Sequence, residues 1–381
     1  MHCAPRDNER MDEAALSALT TTILWSAFAL AFLFGALAQR TRFCTMGAIA
    51  DVANMGDWSR VRMWALAVAV AIVGFNTMVG MGWIEAGKSI YAGSQLLWLS
   101  MIVGGSMFGF GMVLASGCGS KNLVRLGGGS LKALVVLIVL GISGFATLKG
   151  ITAVLRVRTV DTMTILLPRG QDLPTLLASW LDLSAPRVAW ILGMVISAVL
   201  IAWVLRRPEG RRVELWLGGA GIGAVIIAMW WVSGRAGHLA EHPETLQEAF
   251  LATNSHRMEA LSFAAPVAFA LDWLLFFSDV SKVLTIGIVS VFGVVLGSAV
   301  VAVTTHAFRW EGFANAEDLA NHLVGATLMG VGGVTALGCT VGQGLSGVST
   351  LSLGSLLALA FIVAGGVAAL RYQSWRLDRM A

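Results

Sequence analysis

The chain has 381 residues, of which 57% are hydrophobic and 13% charged, with a mean hydropathy of +0.77 and a net charge of +4. Soluble globular chains carry about 25% charge, so this composition excludes an ordinary soluble protein and predicts an all-α polytopic membrane protein. No basic stripe interleaved with aromatics is present, which argues against a nucleic-acid partner, and four cysteines without a CxxC or Cys/His cluster argue against a disulfide scaffold, a structural metal or a cofactor.

The N-terminal tail, 1–19, is acidic at Asp7, Glu9, Asp12 and Glu13 and lacks the basic region and cleavage site of a signal peptide. The first apolar segment therefore reads as a retained span. A span needs roughly 20 apolar residues. Nine are predicted, at 20–39, 61–83, 94–116, 130–153, 187–205, 213–232, 283–304, 320–338 and 354–371. The first two are separated by Arg42-Phe43-Cys44-Thr45-Met46-Gly47-Ala48, where the apolar piece 43–53 is too short to cross. It reads as a re-entrant half-helix, as does 263–277; an interfacial packing helix is the alternative for both. A second break, Gly117-Cys118-Gly119-Ser120, follows the third span. A third, Gly338-Cys339-Thr340-Val341-Gly342-Gln343-Gly344, precedes the last. The polar stretches 154–186 and 233–260 read as surface loops of one membrane domain, and 372–381 as a C-terminal tail.

The two halves resemble each other. Gly109, Gly111, Gly117 and Cys118 align with Gly330, Gly332, Gly338 and Cys339. A weaker echo pairs Phe43-Cys44 and Asp51 with Phe263-Ala264 and Asp272. Repeats at 20–153 and 213–371, joined by a loop and a single connecting span (154–212), then run in opposite directions. That is the inverted topology of many secondary transporters, and opposed breaks meeting near the midplane form an hourglass. Basic residues collect on one side, at Arg40, Arg42, Arg60, Arg206, Arg207, Arg211 and Arg212, which the positive-inside rule makes cytoplasmic. The N-terminus is then outside and the C-terminus inside.

Broken backbone is tolerated in a bilayer only where protein or a water-lined cavity covers it. Three thiols at three such breaks predict a pathway for something thiols bind. Glycine at the breaks is expected to supply positive φ and close approach. A half-helix starting there points free N–H groups at an anion without placing a cation at the membrane centre. Cys44, Cys118 and Cys339 are the leading candidates. Gly119, Ser120 and Thr340 stand beside them, and Asn122 and Gln343 are expected to supply amide donors. Lys121 and Arg125 are candidates for drawing anions to the mouth, with ordinary positive-inside charge as the plainer reading. Asp51 and Asp272 are expected to cap or anchor the half-helices, with direct proton coupling as the alternative. A thiol donates a weak S–H hydrogen bond or reacts as thiolate, and the residues alone leave both modes open.

These breaks, together with Phe308-Arg309-Trp310-Glu311-Gly312, resemble the YeeE/YedE family of sulfur transporters over about 20–371. The resemblance implies an inner-membrane hourglass of inverted repeats that takes up thiosulfate. Its three pathway cysteines match Cys44, Cys118 and Cys339 and relay the ion by S–H hydrogen bonds. It also implies a small cytoplasmic sulfur-carrier protein as a partner beside the lipid bilayer. Two alternatives remain at this stage: a membrane thiol oxidoreductase or sulfurtransferase, and a transporter of a selenium or sulfide species.

Overall fold

Fourteen helices run through the computed structural model, which describes residues 13–243 and 245–380; Cys3, Asp7, Glu9 and Asp12 lie outside the described residues. In chain order they are α1 Glu13–Thr41, α2 Thr45–Met55, α3 Ser59–Gly80, α4 Trp98–Leu114, α5 Gly119–Gly127, α6 Leu131–Lys149, α7 Ile151–Arg158, α8 Leu173–Leu181, α9 Ala185–Leu205, α10 Val213–Trp231, α11 Ala265–Leu275, α12 Ile286–Thr304, α13 Ala316–Thr335 and α14 Leu353–Met380. Eight helical segments are long and apolar enough to cross a bilayer, one fewer than the nine expected. The exception is α13. Glu317, Asp318 and four glycines lower its apolarity, and it packs closely against α4 and α6. Its acidic first turn sits at the positive end of the helix, and Asn315 Oδ1 accepts the Asp318 N–H at 2.7 Å.

The two short pieces are half-helices. Each is 11 residues long, about 16 Å at 1.5 Å per residue, against a hydrocarbon core of about 30 Å. Both start at a buried break and finish at the surface: α2 runs from buried Thr45 to exposed Met55, and α11 from buried Phe263 and Ala264 to exposed Leu275 and Phe276. An ion pair ties each to the segment that follows, Asp51 to Arg60 at 3.3 Å and Asp272 to Lys282 at 2.6 Å. The interfacial alternative does not account for an end buried at the core.

Helix contacts are reciprocal between the halves. α1 packs on α12 as α3 packs on α10, and α4 on α14 as α6 on α13, while α1 meets α10 and α4 meets α13. α9 lies outside this set, against α3. Main chains touch where α4 crosses α13: a Cβ at Gly104 would lie 2.5 Å from Ala336 N, and one at Gly325 2.6 Å from Ala115 N.

The polar stretches are more than surface loops. Ile165–Leu166 pairs antiparallel with Gln95–Leu96, and His238–Leu239 with Ala249–Phe250. Gln171 and Asp172 are buried, and the Gln171 carbonyl accepts from Leu353 N at 3.1 Å while its Oε1 accepts from Gly354 N at 3.2 Å. Met258 N donates to Lys88 O and Ile90 N to Met258 O, each at 3.2 Å. Both stretches are thereby fastened over one end of the helical core. The expected tail from 372 is the continuation of α14, which no breaker interrupts before Met380.

Candidate functional site

The three cysteines are held by one repeated backbone device. A helix ends, the next residue but one before cysteine turns left-handed, and the cysteine starts the following element. The left-handed residues are Arg42 (φ 54), Ser116 (φ 54) and Leu337 (φ 55). The residue between donates its N–H back five positions in all three cases: Phe43 to Ala38 O at 3.1 Å, Gly117 to Met112 O at 2.8 Å, and Gly338 to Gly333 O at 2.8 Å. This is the Schellman closure, which satisfies the last carbonyls of the helix. The expectation that glycines beside the cysteines supply positive φ is corrected here, because that conformation falls on three non-glycine residues. The glycines serve close approach instead. A Cβ at Gly342 would meet Ser262 Oγ at 2.5 Å and Tyr91 Oη at 3.2 Å. Gly342→Ala is accordingly expected to cost about 1–3 kcal/mol by overpacking, read as a lowered melting temperature in detergent.

Each thiol has its sulfur engaged. Cys44 Sγ accepts from Gly47 N at 3.3 Å at the start of α2. Cys339 Sγ accepts from Phe263 N at 3.3 Å and Gly342 N at 3.4 Å. Cys118 Sγ lies 3.2 Å from Ser120 Oγ. Where backbone N–H groups occupy the sulfur lone pairs, the S–H hydrogen remains free to donate. All three are free thiols.

The breaks meet one another. Phe263, whose N–H reaches Cys339, also brings its carbonyl to 3.3 Å from where a Cβ would stand at Gly119. Cys118 stands near both Cys44 and Cys339. The thiols therefore form a chain with Cys118 in the middle. Cys118 and Cys339 are buried and Cys44 is partly open.

A cavity stands at each end of the chain. Cys44 opens on a basin of about 600 Å³ lined by Arg40, Arg42, Arg60, Ser116 and Lys121. At the other end of α4, a vestibule of about 370 Å³ is lined by Tyr91, Gln171, Arg257, Leu337 and Gln343, with a smaller cavity beside it that reaches Gly338. Lys121 contributes to the basin, whereas Arg125 does not. Its guanidinium donates to Ser116 O at 3.2 Å and pairs with Glu311 at 3.1 Å, so it braces the Cys118 break.

Asn122 and Gln343 stand four residues after their cysteines, in matching places, but their amide N–H groups are already used. Asn122 Nδ2 donates to Gly117 O at 2.9 Å and to Cys118 O at 3.1 Å. Gln343 Nε2 donates to Ala336 O. This corrects the expectation that they offer donors to a ligand: both close the breaks. Their buried oxygens, Asn122 Oδ1 and Gln343 Oε1, are left without partners, as is the Thr340 hydroxyl beside Cys339. Of these atoms only Thr340 Oγ1 carries a hydrogen for an anion. Sequence reasoning missed Tyr91 and Arg257, which lie in stretches with no thiol to mark them. Phe263 is marked by its echo of Phe43, but the hydrogen bond from its N–H to Cys339 is not.

A family model described as sulphur transport matches residues 40–368. The thiosulfate transporter TsuA of Escherichia coli (strain K12) is 27% identical over 338 residues, covering 87% of this chain and 90% of the relative. TsuA of Spirochaeta thermophila is 26% identical over 352 residues, covering 90% and 97%. The probable transporter YedE of Escherichia coli is 31% identical over 112 residues, covering 29% and 26%. Family and relatives are transporters, which sets aside the oxidoreductase and sulfurtransferase readings.

Proposed function

Because the chain belongs to the sulphur-transport family, we propose that it carries thiosulfate, or a closely similar sulfur-containing anion, inward across a bacterial inner membrane. The observation that carries this reading is the thiol chain Cys44–Cys118–Cys339, lying between a cationic basin and a polar vestibule. Thiosulfate has a soft terminal sulfur that suits a weak S–H donor. Neutral thiols avoid the desolvation cost of a lysine or arginine at membrane depth. The ion is handed from one S–H to the next, with Thr340 and Ser120 as hydroxyl neighbours and the amide-rich starts of the half-helices offsetting its charge. The residues 20–153 and 213–371 act as inverted repeats, in keeping with the reciprocal helix contacts.

Orientation follows from the arginines. The basin and its surrounding cations face the cytoplasm, so α1 starts outside and α14 ends inside. Arg40, Arg42, Arg60 and Lys121 then hold the arriving anion at the cytoplasmic mouth, where a sulfur-carrier protein can collect it. The deciding experiment is uptake of labelled thiosulfate into proteoliposomes of the purified protein. Unlabelled thiosulfate is expected to compete, and sulfate and selenate, which lack a terminal sulfur, are not. No uptake, or equal competition by sulfate, removes the reading; stronger competition by sulfide or a selenium analogue reassigns the substrate.

A further inference from the structure

The vestibule is divided. The cavity of about 370 Å³ carries Arg257, Gln171 and Gln343, and its neighbour of about 280 Å³ carries Glu259, Ser262 and Gly338; Ile90, Tyr91, Ser255 and Leu337 line both. Glu259 is half-buried. Ser255 Oγ donates to its carboxylate at 3.1 Å, and its main chain is pinned when Glu259 N donates to Ser233 Oγ at 3.1 Å. No cation pairs with it among the described residues. Arg156, from α7, shares its cavity but pairs with Asp161 at 3.0 Å. Arg257, two residues away, reaches over Gly93 in the other cavity. His256 is exposed, and Lys88, across Met258, is bound to Glu85 and Glu248. From the remaining element Tyr91 lies close to both Glu259 and Cys339. An uncompensated carboxyl thus faces a cavity that abuts the Cys339 break, next to the chamber that suits an anion.

We propose that Glu259 is the proton site of a proton-coupled anion uptake, loaded from the outer face together with the anion in the adjoining chamber. The inference rests on the thiosulfate reading above. A charged carboxylate at this wall opposes entry of a dianion, and a proton on it removes the opposition. Coupling is reciprocal, so an anion in the chamber tightens proton binding at Glu259 by the same factor. One proton travelling with the dianion lowers the net charge moved from two to one, which eases entry against an inside-negative potential. Burial pushes the Glu259 carboxyl up to about 7, so it is neutral below that pH and charged above it. Uptake is therefore expected to fall as the outer pH rises through this range, while thiosulfate itself stays a dianion throughout.

The test uses full-length protein in proteoliposomes with a trapped pH dye. Initial uptake of labelled thiosulfate is expected to be about tenfold faster at about pH 6 than at about pH 8 at fixed membrane potential, with thiosulfate-dependent acidification of the lumen. Glu259→Gln, which keeps the shape without the titration, is expected to flatten the pH profile and abolish the acidification, and Glu259→Asp to keep both. A pH-independent wild-type rate, absent lumen acidification, or acidification that persists in Glu259→Gln overturns the inference. Thiosulfate counterflow by the wild type, measured without any gradient, separates the two readings. Counterflow without proton entry leaves transport standing and removes the proton site, whereas absent counterflow removes transport itself.

Discussion

Cys118→Ala is expected to lower thiosulfate uptake by about 10- to 100-fold while membrane insertion and yield stay at wild-type levels. The middle thiol of the chain is buried in the hydrophobic core, and its sulfur has one hydrogen-bonding partner among the described residues, Ser120 Oγ at 3.2 Å. Removing it leaves a small void and one hydroxyl to turn elsewhere, which the fold tolerates. For the passing ion the loss is larger. A hydrogen bond to a charged group contributes about 1.5–3 kcal/mol, and each 1.4 kcal/mol is tenfold. The same holds for Cys339→Ala, where Phe263 N and Gly342 N lose their sulfur acceptor and some stability goes with it. Cys118→Ser separates the two thiol chemistries. A hydroxyl still donates, so a relay by hydrogen bonds predicts partial uptake, above that of Cys118→Ala. A covalent persulfide route predicts that serine and alanine are equally inactive. Normal uptake by both alanine variants ends the relay.

The membrane class, both half-helices and the three cysteine breaks were legible in the sequence because they rest on strong local signals. Apolar length, a glycine-flanked thiol and a repeated glycine spacing are each readable without neighbours. α13 reads as an ordinary span in the sequence, and its close packing against α4 and α6, through its glycines, depends on contacts far along the chain. The left-handed turns were not legible at Arg42 and Leu337, since neither residue type favours positive φ and tertiary context imposes it. The stretches 154–186 and 233–260 looked like plain polar loops. Their role as covers of the vestibule comes from Gln171 meeting Leu353 and Gly354, and Met258 meeting Lys88 and Ile90. Asn122 and Gln343 stand in matching places, and their amides donate to carbonyls of the breaks. Spacing locates an amide; it does not say which carbonyl already holds its hydrogens.

The hold that Asn122 keeps on the Cys118 break yields the second large effect. Asn122→Ala strips the buried Gly117 carbonyl of the Nδ2 donor that reaches it at 2.9 Å, while Cys118 O, which Nδ2 reaches at 3.1 Å, keeps the Asn122 backbone N–H at 2.9 Å. An unsatisfied buried acceptor costs about 1–3 kcal/mol. The variant also removes the orphaned Oδ1, which offsets part of this, so a net loss of about 1–2 kcal/mol is expected. Both carbonyls flank Cys118, so the break loosens and uptake falls together with the melting temperature. Gln343→Ala likewise strips a single carbonyl, Ala336 O, and removes an orphaned oxygen, so an effect of similar size is expected. The pairing of readouts decides the role. If either amide instead donated to the passing ion, its loss would raise the KM for thiosulfate and leave thermal stability untouched. Asn122→Asp sharpens the contrast, because it keeps the orphaned oxygen and replaces the two N–H donors with a second acceptor. A break held by that amide must then suffer at least as much as in the alanine variant, and a melting temperature equal to wild type would return Asn122 to the ligand.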